Sequence, residues 1–305
     1  MQQNYAPRAN IAPKSRLFKP NLASRYQLDS IFAFFLWSAI VVAITVLVVL
    51  IATILMDGLG SLDWQFLINN TSYKPEKAGI LPALVGTALI MIIVAVVSFP
   101  VGVGAGIFLE EFAEDNWFTK IIEININNLA AVPSIIYGLL GLMVFVRILR
   151  PISGGESILS GALTLALLIL PIIIVATREA LRAVPDSLRM AGLALGATKW
   201  QVIWEQIFPM ALPGILTGTI LALSRAVGET APLIAIGAKA YVPFLPASLQ
   251  DQFTVMPIQI YQWVAEPKVE FHDIAAGGII VLMVVLLAMN SIAVLLRNKF
   301  QKKNT

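Results

Sequence analysis

The sequence reads as an all-α integral membrane protein, with six transmembrane helices and a cytoplasmic helical insertion between the fourth and the fifth. Three features lead there. The 305 residues are 58% hydrophobic and only 13% charged, whereas a soluble surface needs about twice that charge fraction. Six charge-poor runs lie at residues 31–56, 80–109, 124–146, 157–177, 210–238 and 274–296; each reaches the ~20 helical residues that a bilayer core requires. The stretch 178–209 is polar and amphipathic, and longer than the link two neighbouring helices need.

Residues 1–25 hold three prolines, five basic residues and no apolar period. They predict a disordered cytoplasmic tail facing lipid, ahead of one transmembrane domain over 26–300. The first run, at 26 residues, exceeds the about 7–15 of a secretory signal core, so it is expected to stay as a helix. Pro100, Pro133, Pro171 and Pro213 lie within or at the ends of spans and predict kinks or helix starts. Gly102 with Gly106, and Gly214 with Gly218, are spaced for close helix crossings.

With the amino terminus inside, the inner segments carry fourteen lysines and arginines and the outer segments six. Positive-inside bias thus places both termini and the segment 178–209 in the cytoplasm of a multi-pass cell-membrane protein. The loops 57–79 and 239–273 then face outward. The latter carries Tyr241, Phe244, Phe253, Tyr261, Trp263 and Phe271, and interfacial anchoring and a dock for an extracytoplasmic protein both fit. His272 beside them reads as an interfacial polar residue, and Arg147 and Arg150 either snorkel or enrich anions at the outer mouth.

In the insertion, Pro185 suits a first helical turn. Leu188, Ala191 and Leu195 then recur at helical spacing, and Gly196 ends that helix. Thr198, with Gln201 three residues on, forms a capping box that opens a second short helix towards Pro209. The expected unit is helix, Gly196-Ala197-Thr198 turn, helix, either lying on lipid or docked on a partner.

In the fifth run Arg225 falls 15 residues after Met210, about 22 Å along a helix and past the bilayer middle. Glu229 follows one turn later on the same face. Three roles fit this pair: a structural ion pair, a place on an anion path where the guanidinium fork matches oxyanions, and a gate that never touches the anion.

Several chemistries lack their residues. There is no cysteine, one histidine and no pair of acids or bases within the runs, which argues against a metal site, catalytic residues or an enzyme. A net charge of +3, spread as topology determinants, argues against nucleic acid. The chain has no Gly-rich loop ending in Gly-Lys-Ser or Gly-Lys-Thr, so it does not hydrolyse ATP by that chemistry.

Met190-Ala191-Gly192, Gly196, Gln206-Ile207 and Phe208-Pro209 together resemble the signature of the membrane subunits of bacterial binding-protein-dependent ABC importers. That signature reads Glu-Ala-Ala, three residues, Gly, nine residues, Ile, one residue, Leu-Pro; Met190 stands where the family has glutamate. The stretches 79–87, 132–139, 180–185, 225–232 and 258–261 narrow the resemblance to phosphate importer permeases of the PstA family. The resemblance implies the type I importer permease fold and a heterodimer with a PstC-like permease. It also implies a PstB-like ATPase dimer that binds ATP and magnesium, a PstS-like phosphate-binding protein, and no cofactor on this chain. Pro185, Leu188, Ala191, Gly196, Ala197 and Thr198 would then couple to the ATPase, and Arg225 and Glu229 would lie on the substrate path. A sulfate or molybdate importer permease, or an ATP-independent secondary transporter, are the alternatives.

Overall fold

The computed structural model describes residues 22–303, and every regular element among them is helical. The tail expected over 1–25 lies outside the described residues up to residue 21, while residues 22–25 already belong to the first helix, α1 (Leu22–Gly58). The described residues fall into two compact units that divide at Thr53 and Ile54. The first unit is the greater part of α1. Inside it, Ser38, Thr45 and Thr53 donate their hydroxyls to carbonyls four residues back, which satisfies polar groups that an apolar surrounding would otherwise penalise.

The second unit starts at Ile54 with the end of α1; α2 (Trp64–Ile68) follows, capped by the Asp63 side chain, then α3 (Leu81–Ile107), which runs on through a π-turn, Phe108–Phe112. Then come α4 (Trp117–Ala130), α5 (Ser134–Gly141) with its own π-turn Leu142–Ile148, α6 (Arg150–Ser153) and α7 (Ile158–Arg182). The chain continues through α8 (Asp186–Ala194), α9 (Lys199–Val202) and α10 (Phe208–Gly228). It finishes with α11 (Ala231–Ala235), α12 (Met256–Ala265) and α13 (Val269–Lys303).

Helix α7 forms the centre of this unit, between α3 and α10. The two glycine pairs make both crossings close. A Cβ on Gly102 would lie 2.7 Å from Ile173 Cγ2, one on Gly106 2.6 Å from Thr177 Cβ, and one on Gly214 2.8 Å from Ala180 Cβ; Gly218 meets Ala176. Backbones this near gain dispersion contacts that lipid cannot supply.

Among the described residues five helices are long and apolar enough to cross a membrane, and a bent pair makes the sixth span if counted as one. That pair replaces the single helix expected over 124–146: α4 and the helix from Ser134 to Ile148 are bent by 102° at a short break. Pro133 is the cause, because it disfavours helical backbone at Val132 and supplies no N–H to continue the ladder. The fifth span also departs from expectation, since it is helical over Lys199–Gly228. A π-turn at Ile203–Ile207 joins α9 to α10, and such a widened turn accommodates the ring of Pro209.

The aromatic loop 239–273 is not simply an interfacial belt. Phe253, Trp263 and Phe271 are core residues, with Trp263 tilted against Phe66 at 5.8 Å, whereas Phe244 and Tyr261 remain exposed. Tyr241 stacks on Tyr73. Exposed His272 lies within hydrogen-bond distance of the Glu266 carbonyl.

Candidate functional site

The segment between α7 and α10 folds as the anticipated helical hairpin. Pro185, expected in the first turn, sits one position earlier as the N-cap of α8, where its fixed φ of −59° fits equally well. Gly196 has φ +82° and open space around its Cβ position, so backbone conformation rather than crowding requires glycine. The amide of Ala197 donates to Gly192 O and that of Gly196 to Leu193 O, closing the turn. Thr198 caps α9 with the full reciprocal box to Gln201.

The hairpin's inward stripe differs from the one spaced out in the sequence. Leu188 and Ala197 pack on the core, and Gly192 lets α8 approach Val202 to 2.7 Å of its Cβ position. Ala191 and Leu195 point away instead, and Leu195 is 88% exposed, with Met190 and Leu193 exposed beside it. Trp200, Trp204 and Phe208 stack successively along the next face at 5.7 and 4.9 Å.

An ionic clamp fixes this hairpin to two long helices. The π-turn after α3 presents Glu110 and Glu111 in opposite senses. Glu110 accepts from Arg178 Nε at 3.2 Å and Arg182 Nε at 2.7 Å, both on α7, and Arg178 also reaches Glu123 of α4. Glu111, 7% exposed, accepts from Arg189 Nη2 of α8 at 2.7 Å. The same guanidinium donates to Leu181 O and Val184 O at 2.9 Å, capping one carbonyl in the last turn of α7 and one just past its end.

Charges so enclosed are costly unless paired and fully bonded, and here each fork finds several acceptors. The hydrogen bond to Glu111 raises the affinity of Arg189 for its proton above the ordinary arginine value, against the opposing effect of burial. Its contribution to folding is therefore complete below that ordinary value and lost only above the raised one, so neutral pH leaves the clamp intact.

Arg225 and Glu229 pair at 3.0 Å, with Arg225 half-exposed and Glu229 largely covered. Because the span starts at Lys199, Arg225 lies three residues before its end at Gly228. Glu229 is the residue after the helix, with φ −80° and ψ 98°. The pair and the hairpin lie towards opposite ends of the helical run, and among the described residues no hydrogen bond or ion pair joins them.

None of Glu110, Glu111, Arg178 and Arg189 is singled out in the sequence analysis. Two adjacent acids ending an apolar run, in a segment assigned to the base-rich side, were the available signal.

The pattern of the family described as "Binding-protein-dependent transport system inner membrane component" matches residues 102–304. The chain is 34% identical over 285 residues to "Probable ABC transporter permease protein YqgI" of Bacillus subtilis, covering 89% of this chain and 95% of that protein. It is 34% identical over 238 residues to "Phosphate transport system permease protein PstA" of Haemophilus influenzae, covering 78% and 82%. A solved bacterial alginate ABC transporter in complex with its periplasmic protein shares the fold, at a TM-score of 0.65 and 14% identity over 88% of this chain and 94% of the other. The MetNI methionine ABC transporter does so at 0.56 and 20%, over 73% and 94%.

Proposed function

Because the chain belongs to the family of binding-protein-dependent transport system inner membrane components, we propose that it is the permease subunit of an ATP-driven importer whose cargo is inorganic phosphate. One observation carries the coupling half of this reading. The hairpin 186–202 exposes Met190, Leu193 and Leu195 while the opposite side is clamped by Arg189 to α3 and α7. An exposed apolar tip on a rigid base suits a groove on another protein.

In this reading the partner is a PstB-like ATPase pair, which binds ATP and magnesium, and this chain has no catalytic role. Closure of the pair displaces the hairpin, and Glu111 and Glu110 transmit the movement to α3 and α7 together. Pro185, Gly196 and Thr198 set the hairpin's shape; Leu188 and Ala197 seat it, and Ala191 lies on its exposed side. Both termini and the hairpin face the cytoplasm, a PstC-like permease completes the path, and a PstS-like protein delivers the anion outside. Phosphate is favoured over sulfate or molybdate by the PstA relatives, and Arg225 is assigned to the anion path with Glu229 holding its fork between states.

The absence of native cysteine makes the coupling contact testable. Leu195→Cys should cross-link to a cysteine in the ATPase groove with a yield that changes between nucleotide-free and ATP-bound states. No cross-link in any nucleotide state would exclude this docking.

A further inference from the structure

A cleft of about 710 Å³ opens beside the first turn of α7, lined by Arg147, Arg150, Glu156, Phe244, Gln250 and Gln252 among others. The 25 residues of α7, about 37 Å of helix, separate it from the hairpin. Its walls are held by backbone bonds: the amides of Ile158, Leu159 and Lys239 donate to the carbonyls of Asp251, Leu249 and Phe253 at 2.9–3.2 Å. Gln250 Nε2 donates to Ile152 O. Beneath, the buried hydroxyls of Ser153, Ser157 and Ser160 donate to Phe145 O, Ser153 O and Gly155 O.

The cleft is lined by two arginines and two acids, and Lys239 beside it leaves one net positive charge. Both acids are engaged, Glu156 by Lys239 and Asp251 by the amides of Ala247 and Ser248. Among the described residues the one polar contact of the Arg147 fork is the Met143 sulfur at 3.8 Å. Among the described residues neither Arg147 nor Arg150 has a carboxylate partner. Two guanidinium groups that make no ion pair line one concave wall, and an oxyanion offers the acceptor oxygens that such forks bind.

Resting on the importer reading above, we propose that this cleft is an entry site that holds the phosphate anion between Arg147 and Arg150 before it moves inward. The outward position follows from the same orientation that puts the hairpin in the cytoplasm. A lipid headgroup phosphate is the competing source of the same chemistry.

Gln252→Cys places the only thiol of this chain on the cleft wall of the assembled transporter. Inorganic phosphate should slow its reaction with a membrane-impermeant maleimide severalfold, in detergent and in phospholipid vesicles alike. Adding Arg147→Gln and Arg150→Gln should abolish that protection and raise the half-saturating phosphate concentration for uptake about tenfold at unchanged maximal rate. If the double change blocks assembly, each single change should show a part of both effects.

Labelling that ignores phosphate, in a transporter that still imports it, overturns the cleft alone. Protection that disappears in phospholipid vesicles overturns it too, because a headgroup then holds the site. Protection by sulfate but not phosphate overturns the assigned cargo and with it the phosphate-import reading.

Discussion

Replacing Arg189 by methionine keeps much of its apolar stem and deletes the fork. Glu111, 7% exposed, loses the one donor group it has among the described residues, and the carbonyls of Leu181 and Val184 each lose a donor. Breaking a buried pair from one side costs about 3–5 kcal/mol. The Arg189 side chain is 20% exposed, so water relieves some of this and the lower end, about 3 kcal/mol, applies. The further contact to Asp186, which is 93% exposed, adds at most a few tenths of a kcal/mol. At ~1.4 kcal/mol per tenfold, the hairpin should open about a hundredfold more often. Amide hydrogen exchange on the purified protein in detergent would read this as acceleration over residues 186–202, while the middle of α7 stays protected. Combining Arg189→Met with Glu111→Leu should recover most of the loss, because an apolar pair replaces both charges. Exchange in the single variant unchanged from the parent would refute the clamp. A double variant as fast as the single one would refute its ionic origin.

Three further outcomes follow from the same geometry. Gly196→Ala, at φ +82° with free space around it, should cost about 1 kcal/mol of hairpin stability, seen as faster exchange of the turn, whereas Gly196→Asn should be nearly harmless. Within α3, Gly106→Leu drives a side chain into Thr177, while the Cβ position of Gly104 meets nothing within 4 Å. Thermal unfolding should therefore fall sharply for Gly106→Leu and stay the same or rise for Gly104→Ala. Arg225→Lys keeps the charge but loses the fork to Glu229; uptake should fall more than about tenfold with assembly intact, and normal uptake would remove Arg225 from the path.

Features that depend on neighbouring residues were legible in the sequence. The Gly196 turn and the Thr198–Gln201 box need only a few residues to specify them, and Gly102, Gly106, Gly214 and Gly218 announced close crossings by their spacing. Other features depend on geometry that a hydropathy run cannot carry. The apolar run 124–146 gave no measure of the bend at Pro133. The fifth helical run covers Lys199–Gly228 because a π-turn lets the helix pass Pro209, so bounds counted from the apolar residues alone set its start and its end about ten residues too late. Trp263 and Phe271 looked interfacial by type but are buried in the core where α12 and α13 pack together. The ionic clamp was least legible, since Arg178 and Arg189 meet glutamates 55 to 78 positions earlier in the chain.

The central claim is phosphate import driven by ATP through this chain. It is tested most directly by uptake of labelled phosphate into vesicles holding the chain with its partner permease, ATPase and binding protein, challenged with excess sulfate and molybdate. Uptake that requires ATP and resists both competitors is the predicted result. Uptake indifferent to ATP, or displaced by sulfate or molybdate, would contradict it.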